Sequence, residues 1–250
     1  MKWSDKLAKE LLRMKDVENK SYKEIAEVLN TTVSSVKHKY IRLHQSKNND
    51  KHHHPIEKKE QINRVLSKDQ QYRILETHAG NGNLTKLYLE FGEVVAHDID
   101  QTKICRLEQI KNPNLKIMKC DSFKRIHHYI YEKQKFNVID LDPYGYPSRF
   151  FPHIFQLIEE GYFFMTIPKI GVQQVNKIMI EHYRLFWGMD LSDKESYVQK
   201  IDAKMKDFAL CYFRTLDLID CVDLGRLYRL AYKVKKESAF NLFGYGGIRG

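Results

Sequence analysis

The chain has 250 residues and a formal net charge of +10, enough length for one substantial α/β domain with a small appendage and enough cationic excess to favour a polyanionic partner through counterion release. No apolar run has the length needed to span a bilayer, and the charged N-terminus lacks the apolar core of a signal peptide, so a cytoplasmic protein without a membrane partner is expected. Cys105, Cys120, Cys211 and Cys221 are scattered without CxxC spacing, which predicts reduced, buried thiols and neither a disulfide framework nor a metal site.

Residues 1–45 predict three short helices. The first covers about Ser4 to Met14, with Leu7, Leu11 and Leu12 on one side. The second opens on Ser21-Tyr22-Lys23-Glu24, a capping-box pattern, and continues through Ile25, Ala26, Val28 and Leu29. After the turn Asn30-Thr31, Thr32 caps a third helix carrying Val33, Val36, Tyr40, Ile41 and Leu43. The small Ala26 at the crossing and the short polar turn resemble a helix-turn-helix. The outward candidates of its last helix are Ser34, Ser35, Lys37, His38, Lys39 and Arg42, residue types suited to phosphate and base contacts in a major groove. A solvated face or a protein-docking bundle is the alternative.

Residues 46–55 are polar and unpatterned and predict a linker, with His52, His53 and His54 solvated rather than ligating. Ile56 to about Leu66 is a helix leading into a second domain, residues 56–250. From Tyr72 the period changes. Apolar segments at Arg73–Leu75, Glu93–Ala96, Leu115–Met118, Phe136–Leu141 and Gly161–Thr166 alternate with helical stretches, which predicts a doubly wound, mostly parallel sheet. Thr215–Val222 and Arg226–Val234, joined at Asp223-Leu224-Gly225, predict an antiparallel hairpin that closes it.

No glycine precedes Gly80, and then Gly80 and Gly82 fall together between the first strand and a helix beginning near Leu84. At the C-terminal strand ends of an open α/β sheet, such glycines let backbone approach a ligand. Leu84-Thr85 stand where a dinucleotide fingerprint would want a third glycine. Glu76-Thr77-His78-Ala79-Gly80-Asn81-Gly82 instead resembles the first motif of class I S-adenosylmethionine-dependent methyltransferases. The resemblance implies a Rossmann-like methyltransferase sheet with S-adenosyl-L-methionine as cofactor, held around Glu76, His78, Ala79, Gly80 and Gly82. Glu76 would act through water on the cofactor's amino group. An acidic residue also closes the second strand, where a ribose diol needs an acceptor; Asp98 is chosen, with Asp100 the alternate. Asp121 closes the third strand, and the resemblance gives it the adenine amino group; a loop or helix cap is the other reading of both Asp98 and Asp121.

The fourth strand runs into Asp140-Leu141-Asp142-Pro143-Tyr144-Gly145-Tyr146-Pro147. This resembles the Asp-x-Asp-Pro-(Phe/Tyr)-Gly-Ser-Pro motif of tRNA guanine-N2 dimethyltransferases, differing at Tyr146. It is further from the Asp-Pro-Pro-Tyr of DNA adenine-N6 enzymes, since the second proline is missing. Both families methylate exocyclic base amines, whose lone pairs are delocalised into the ring. The resemblance implies Asp142 as acceptor of the amine N–H bonds, Tyr144 as a stacking face and Pro143 as the rigid turn that directs its own carbonyl. A tight turn is the plain alternative. Ser148 to Gly161 should then form an amphipathic helix. The tRNA enzymes carry a sizeable C-terminal domain for which this sequence is expected to have no room, and they do not usually begin with such an N-terminal module. The expectation is therefore an exocyclic-amine N-methyltransferase of nucleic acid with duplex DNA favoured. Guanine-N2 of tRNA is the alternative, and a DNA-binding regulator with a non-catalytic domain the alternative of another class. Residues 167–214, with Trp187 and Tyr197, read as an insertion near the substrate, and the tail Ser238–Gly250 as able to reach it.

Overall fold

The computed structural model describes residues 3–48, 53–169, 181, 183–188 and 196–237. His52, the tail Ser238–Gly250 and most of residues 170–195 lie outside the described residues. The chain divides into two units, Met1–Pro55 and Ile56–Gly250.

In the first unit, α1 (Asp5–Leu12) runs into a π-helical turn, Arg13–Val17, followed by α2 (Tyr22–Val28) and α3 (Val33–Asn48). The capping box forms as its spacing dictates: Glu24 N donates to Ser21 Oγ at 3.2 Å, and Ser21 N donates to Glu24 Oε2 at 2.7 Å. Thr32 Oγ1 accepts from Ser35 N at 3.1 Å and so caps α3. Leu11, Met14, Ile25, Ala26 and Val36 make the small core, with Trp3, Tyr22, Leu29, Tyr40 and Leu43 packed around it. Val28 and Val33, expected on apolar helix faces, are exposed, because α2 and α3 turn only one narrow stripe inward. Helix α3 continues to Asn48, into the segment expected as linker.

Helix α4 (Pro55–Val65) begins at the last residue of the first unit and leads into the second, which builds a seven-stranded sheet in the order β3-β2-β1-β4-β5-β7-β6. The strands are β1 Tyr72–Glu76, β2 Gly92–Asp98, β3 Leu115–Lys119, β4 Phe136–Leu141, β5 Ile158–Pro168, β6 Arg214–Asp223 and β7 Leu227–Lys236. The first five pair in parallel, and β7 runs antiparallel to both β5 and β6. This is the expected class I methyltransferase architecture, with the hairpin added at the β5 edge. The order reverses at β1, which lies between β2 and β4, so the loops after β1 and β4 leave the same sheet edge side by side.

Helices α5 (Thr85–Tyr88), α6 (Gln101–Leu107), α7 (Ser122–Tyr131), α8 (Phe151–Leu157) and α9 (Tyr197–Leu210) connect and cover the strands. One core layer gathers Ile62, Ile74, Leu87, Val94, Leu107 and Phe164; the other gathers Leu75, Ile126, Ile139, Phe155, Met165 and Ile201. The helix expected over Ser148–Gly161 is shorter. A 3-10 turn, Ser148–Phe150, leads into α8, and β5 begins at Ile158. Phe151, Ile154, Phe155 and Leu157 are all buried, so this helix is a core element rather than an amphipathic surface one. Trp187 and Tyr197 belong to the same core. The thiols also depart from expectation: Cys105, Cys211 and Cys221 are exposed and Cys120 half-buried, since Cys221 lies on the edge strand β6 and Cys105 on an outer position of α6. Among the described residues, no helix is long and apolar enough to cross a membrane, and no group of three or more His, Cys, Asp or Glu side chains could hold a metal ion.

Candidate active site

The loop after β1 is shaped by backbone. Gly80 and Gly82 have φ of +57° and +78°, which L side chains rarely adopt. A Cβ on Gly80 would meet nothing within 4 Å, so the backbone there faces open space; one on Gly82 would lie 2.9 Å from both Ile110 Cδ1 and Leu107 Cδ2. The first glycine thus leaves room for a ligand, and the second lets the loop close on α6.

Strand ends on both sides fasten this loop. Thr77 donates through N (3.1 Å) and Oγ1 (2.9 Å) to Asp140 O of β4, and its carbonyl accepts from Ser122 Oγ. Ala79 N donates to His97 O at 2.8 Å. Asp98 is buried; its Oδ2 accepts from Gly80 N (2.9 Å) and its Oδ1 from Asp100 N (2.8 Å). Asp100 and Asp121 cap α6 and α7, with Asp100 Oδ1 accepting from Thr102 N and Asp121 Oδ1 from Phe123 N and Lys124 N. These carboxylates therefore have structural work at the strand ends. Each carboxylate still has lone pairs with which to meet a ligand.

Glu76 ends β1 almost fully buried, and Thr85 Oγ1 donates to its Oε2 at 2.5 Å. Burial raises the Glu76 carboxyl well above its ordinary value against the bond from Thr85, and the nearby Asp140 and Asp142 add to the rise. His78 packs edge-on against Phe150, its ring centroid 5.6 Å away. Burial holds this imidazole below its usual range, opposed by the charges of Asp142 and Asp98.

The loop after β4 is held from below by side chains that the sequence reading did not single out. Arg229 of β7 is wholly buried and grips Asp140 with both terminal nitrogens, at 3.0 and 2.6 Å. Tyr88 Oη also donates to Asp140 Oδ2 at 2.7 Å, and Arg229 reaches Thr166 Oγ1 at 3.1 Å. Lys58 of α4, also buried, donates from Nζ to Asp142 Oδ2. Burial pushes the Asp142 carboxyl up, but Lys58 and Arg229 more than reverse this and hold it below the usual carboxylate range. Of the motif's other members, Tyr144 is fully exposed, Pro143 and Tyr146 are half-buried, Pro147 is buried, and Gly145 turns the chain at φ +108°.

Lys58 and Arg229 answer Asp142 and Asp140, whereas among the described residues no cation bonds Glu76, which accepts from the Thr85 hydroxyl. A third carboxyl beside an open, left-handed glycine loop suits a ligand that carries positive charge.

Of the candidate residues, Glu76, His78, Ala79, Gly80, Gly82, Asp98, Asp121 and Asp142 all sit at the C-terminal edge of β1 to β4. Lys58, Tyr88, Thr166 and Arg229 were missed. Lys58 left one trace, since Lys58, Gln61 and Ile62 have the i, i+3, i+4 spacing of an inward helix face. Ile99, exposed at 68% beside Asp98, is a further apolar group on this rim. In the first unit, Ser34, Lys37, His38 and Arg42 are exposed on α3, whereas Lys39 is half-buried. Ser35, expected outward, is half-buried and accepts from Trp3 Nε1 at 3.1 Å, because Trp3 packs over the start of α3.

Residues 5–42 match the family model of sigma-70 region 4. No curated protein matches the sequence. Among solved structures, the chain is similar to the Pyrococcus horikoshii protein named "putative transferase PH0793", with a TM-score of 0.52 and 10% identity over 73% of this chain and 64% of that one. It is also similar to Trm1 from Pyrococcus horikoshii in complex with S-adenosyl-L-methionine (TM-score 0.48, 16% identity, 66% and 50% covered). A third is the M. jannaschii tRNA m1G37 methyltransferase (0.45, 14%, 72% and 48%). The chain spans between about half and two thirds of each of these proteins, and at 10% identity the likeness to the putative transferase is one of fold.

Proposed function

We propose that the chain is an S-adenosylmethionine-dependent methyltransferase acting on an exocyclic amine of a nucleic-acid base, with duplex DNA the favoured substrate. The observation that carries this reading is the uncompensated, buried Glu76 beside the open space at Gly80, in line with Asp98 and Asp121 at the next strand ends. The cofactor, when bound, supplies an electrophilic methyl group on a sulfonium. Glu76, through water, would face its amino group; the Gly80–Gly82 backbone, with His78 and Ala79, would line its amino-acid end. Asp98 would accept from the ribose hydroxyls, Ile99 would cover the adenine, and Asp121 would take the adenine amino group.

Asp142 stands at the next strand end as an ionised acceptor. Bonding to the N–H groups of a base amine, it would favour the geometry in which the nitrogen lone pair is free to react. The carbonyl of Pro143 would share that role, and Tyr144, exposed on the same loop, offers a face on which an extruded base can stack. In the first unit, Ser34, Lys37, His38 and Arg42 give α3 an exposed polar and cationic surface suited to a major groove, with Lys39 at its margin. The Asp142-Pro143-Tyr144-Gly145 string favours a second reading, guanine-N2 of tRNA.

The test is transfer of a tritiated methyl group to duplex DNA, tRNA and protein, with Asp142→Asn as control. Label in DNA that Asp142→Asn reduces by ~10²-fold or more, the lower range for a positioned acid–base group, supports the first reading; label in tRNA alone selects the second. Cofactor binding without transfer to any acceptor would instead mark a non-catalytic, DNA-binding regulator.

A further inference from the structure

Lys58 is an unusual residue for the place it occupies. It lies on the inward stripe of α4 with Gln61 and Ile62, where an apolar side chain would suffice, and it is 2% exposed. Burying an ammonium costs several kcal/mol unless a partner answers it. The helix does not need Lys58 for its register: Ile62 is anchored in the core, and Gln61 Nε2 donates to Arg229 O at 3.1 Å. The ammonium is therefore delivered by a helix already fixed by other contacts.

The exposures of the pair are unequal. The Lys58 side chain is 3% exposed and that of Asp142 23%, so the cation lies on the protein side and the carboxylate on the solvent side. A lysine approaching from outside would close the acceptor off, whereas this one leaves an outer face free. The other groups acting on Asp142 come from three strands. Glu76 of β1 opposes its ionisation, as does burial; Thr166 of β5 and Arg229 of β7 favour it. His78, in the loop after β1, senses the Asp142 charge. Arg229 has both terminal nitrogens on Asp140. Among the described residues, Lys58 is thus the cation bonded to Asp142 itself.

We propose that Lys58 is a positioning residue for the amine acceptor: from beneath the β4 loop it fixes the Asp142 carboxylate in one orientation and in its ionised form, with its outer face turned to the base. This rests on the methyltransferase reading above. A protonated Asp142 would present a donor where the amine needs an acceptor, and an unpaired one would be free to rotate.

The test uses the full chain, comparing wild type with Lys58→Met and Lys58→Arg. The Asp142 carboxyl is followed by ¹³C NMR titration, and kcat/KM for methyl transfer is followed against pH. Losing an opposite charge at this range moves a carboxyl by about 1–3 pH units. In Lys58→Met the Asp142 midpoint and the acid limb of kcat/KM should both rise by that amount, and Lys58→Arg should recover most of the loss. An unmoved midpoint and acid limb in Lys58→Met, or a Lys58→Arg variant no better than Lys58→Met, overturns the proposal. If Lys58→Met does not fold, Lys58→Met/Asp142→Asn leaves neither charge unpaired, and its transfer rate should equal that of Asp142→Asn alone; a lower rate overturns the assignment. Wild-type protein that transfers no methyl group overturns the underlying reading. That failure is told apart by the titration, because the Asp142 midpoint in Lys58→Met would still move.

Discussion

The loops after β1 and β4 leave the same sheet edge, yet they are held in opposite ways. The first is a backbone device: two left-handed glycines, amide donors to Asp98 and His97, and Thr77 hooked to Asp140 O. The second is a side-chain device, Asp142 and Asp140 each gripped from below by a buried cation drawn from a distant element. A loop made of backbone can open toward a flexible ligand at little cost in charge. A loop resting on paired charges holds one carboxylate in place for a demanding bond. The difference suits a cofactor cradle beside an amine acceptor.

The comparison is broken most severely at Arg229. Arg229→Met strands Asp140 as a buried, unpaired charge and should cost about 3–5 kcal/mol, the usual loss when one partner of a buried pair is removed; urea unfolding measures it, and a loss under 1 kcal/mol would mean the β4 loop does not rest on this pair. Gly82→Ala should cost about 2 kcal/mol, from strain at φ +78° and pressure on Leu107 and Ile110. Gly80→Ala should cost about 1 kcal/mol in stability but weaken S-adenosylmethionine binding disproportionately, because its Cβ enters the open space; equal losses of stability and affinity in the two variants, by melting and calorimetry, would erase their distinction.

Glu76→Gln reverses the sign. A carboxyl whose folded pKa is raised contributes stability below its unfolded value, and that contribution is lost as pH rises through the folded value. The variant should therefore match wild type near pH 4 and become progressively more stable than it toward pH 8, while binding the cofactor less well. A stability difference that does not grow with pH would show that Glu76 is ionised at little cost.

The two loops also differ in how far the sequence discloses them. Gly80 and Gly82, the first glycines in the chain, announce the backbone device locally, and Asp98 and Asp121 mark strand ends because the alternating β/α pattern is strong there. The pairs beneath β4 join residues 84 and 89 positions apart, and no local period encodes which cation meets which carboxylate. Arg229 sits in a strand that reads as a hairpin, and only the β5–β7 pairing carries it beneath the site. The shortness of α8 was hidden for a related reason. Ile158 begins a strand straight after Leu157 with no turn residue between them, and the polar stretch Glu159-Glu160-Gly161 that reads as the end of a helix lies inside that strand. In the helical unit, the capping box at Ser21 and Glu24 was plain, whereas the packing of Trp3 over Ser35 depends on a contact 32 residues apart.

The central claim is that Asp142 accepts an exocyclic amine beside a methyl donor. It is tested most directly by digesting nucleic acid treated with wild-type protein and S-adenosylmethionine and locating the new methyl group by mass spectrometry of the nucleosides. The account predicts a methyl on an exocyclic nitrogen, strongly reduced in Asp142→Asn. A methyl on a ring atom or on the sugar, or an exocyclic product undiminished in Asp142→Asn, would contradict it.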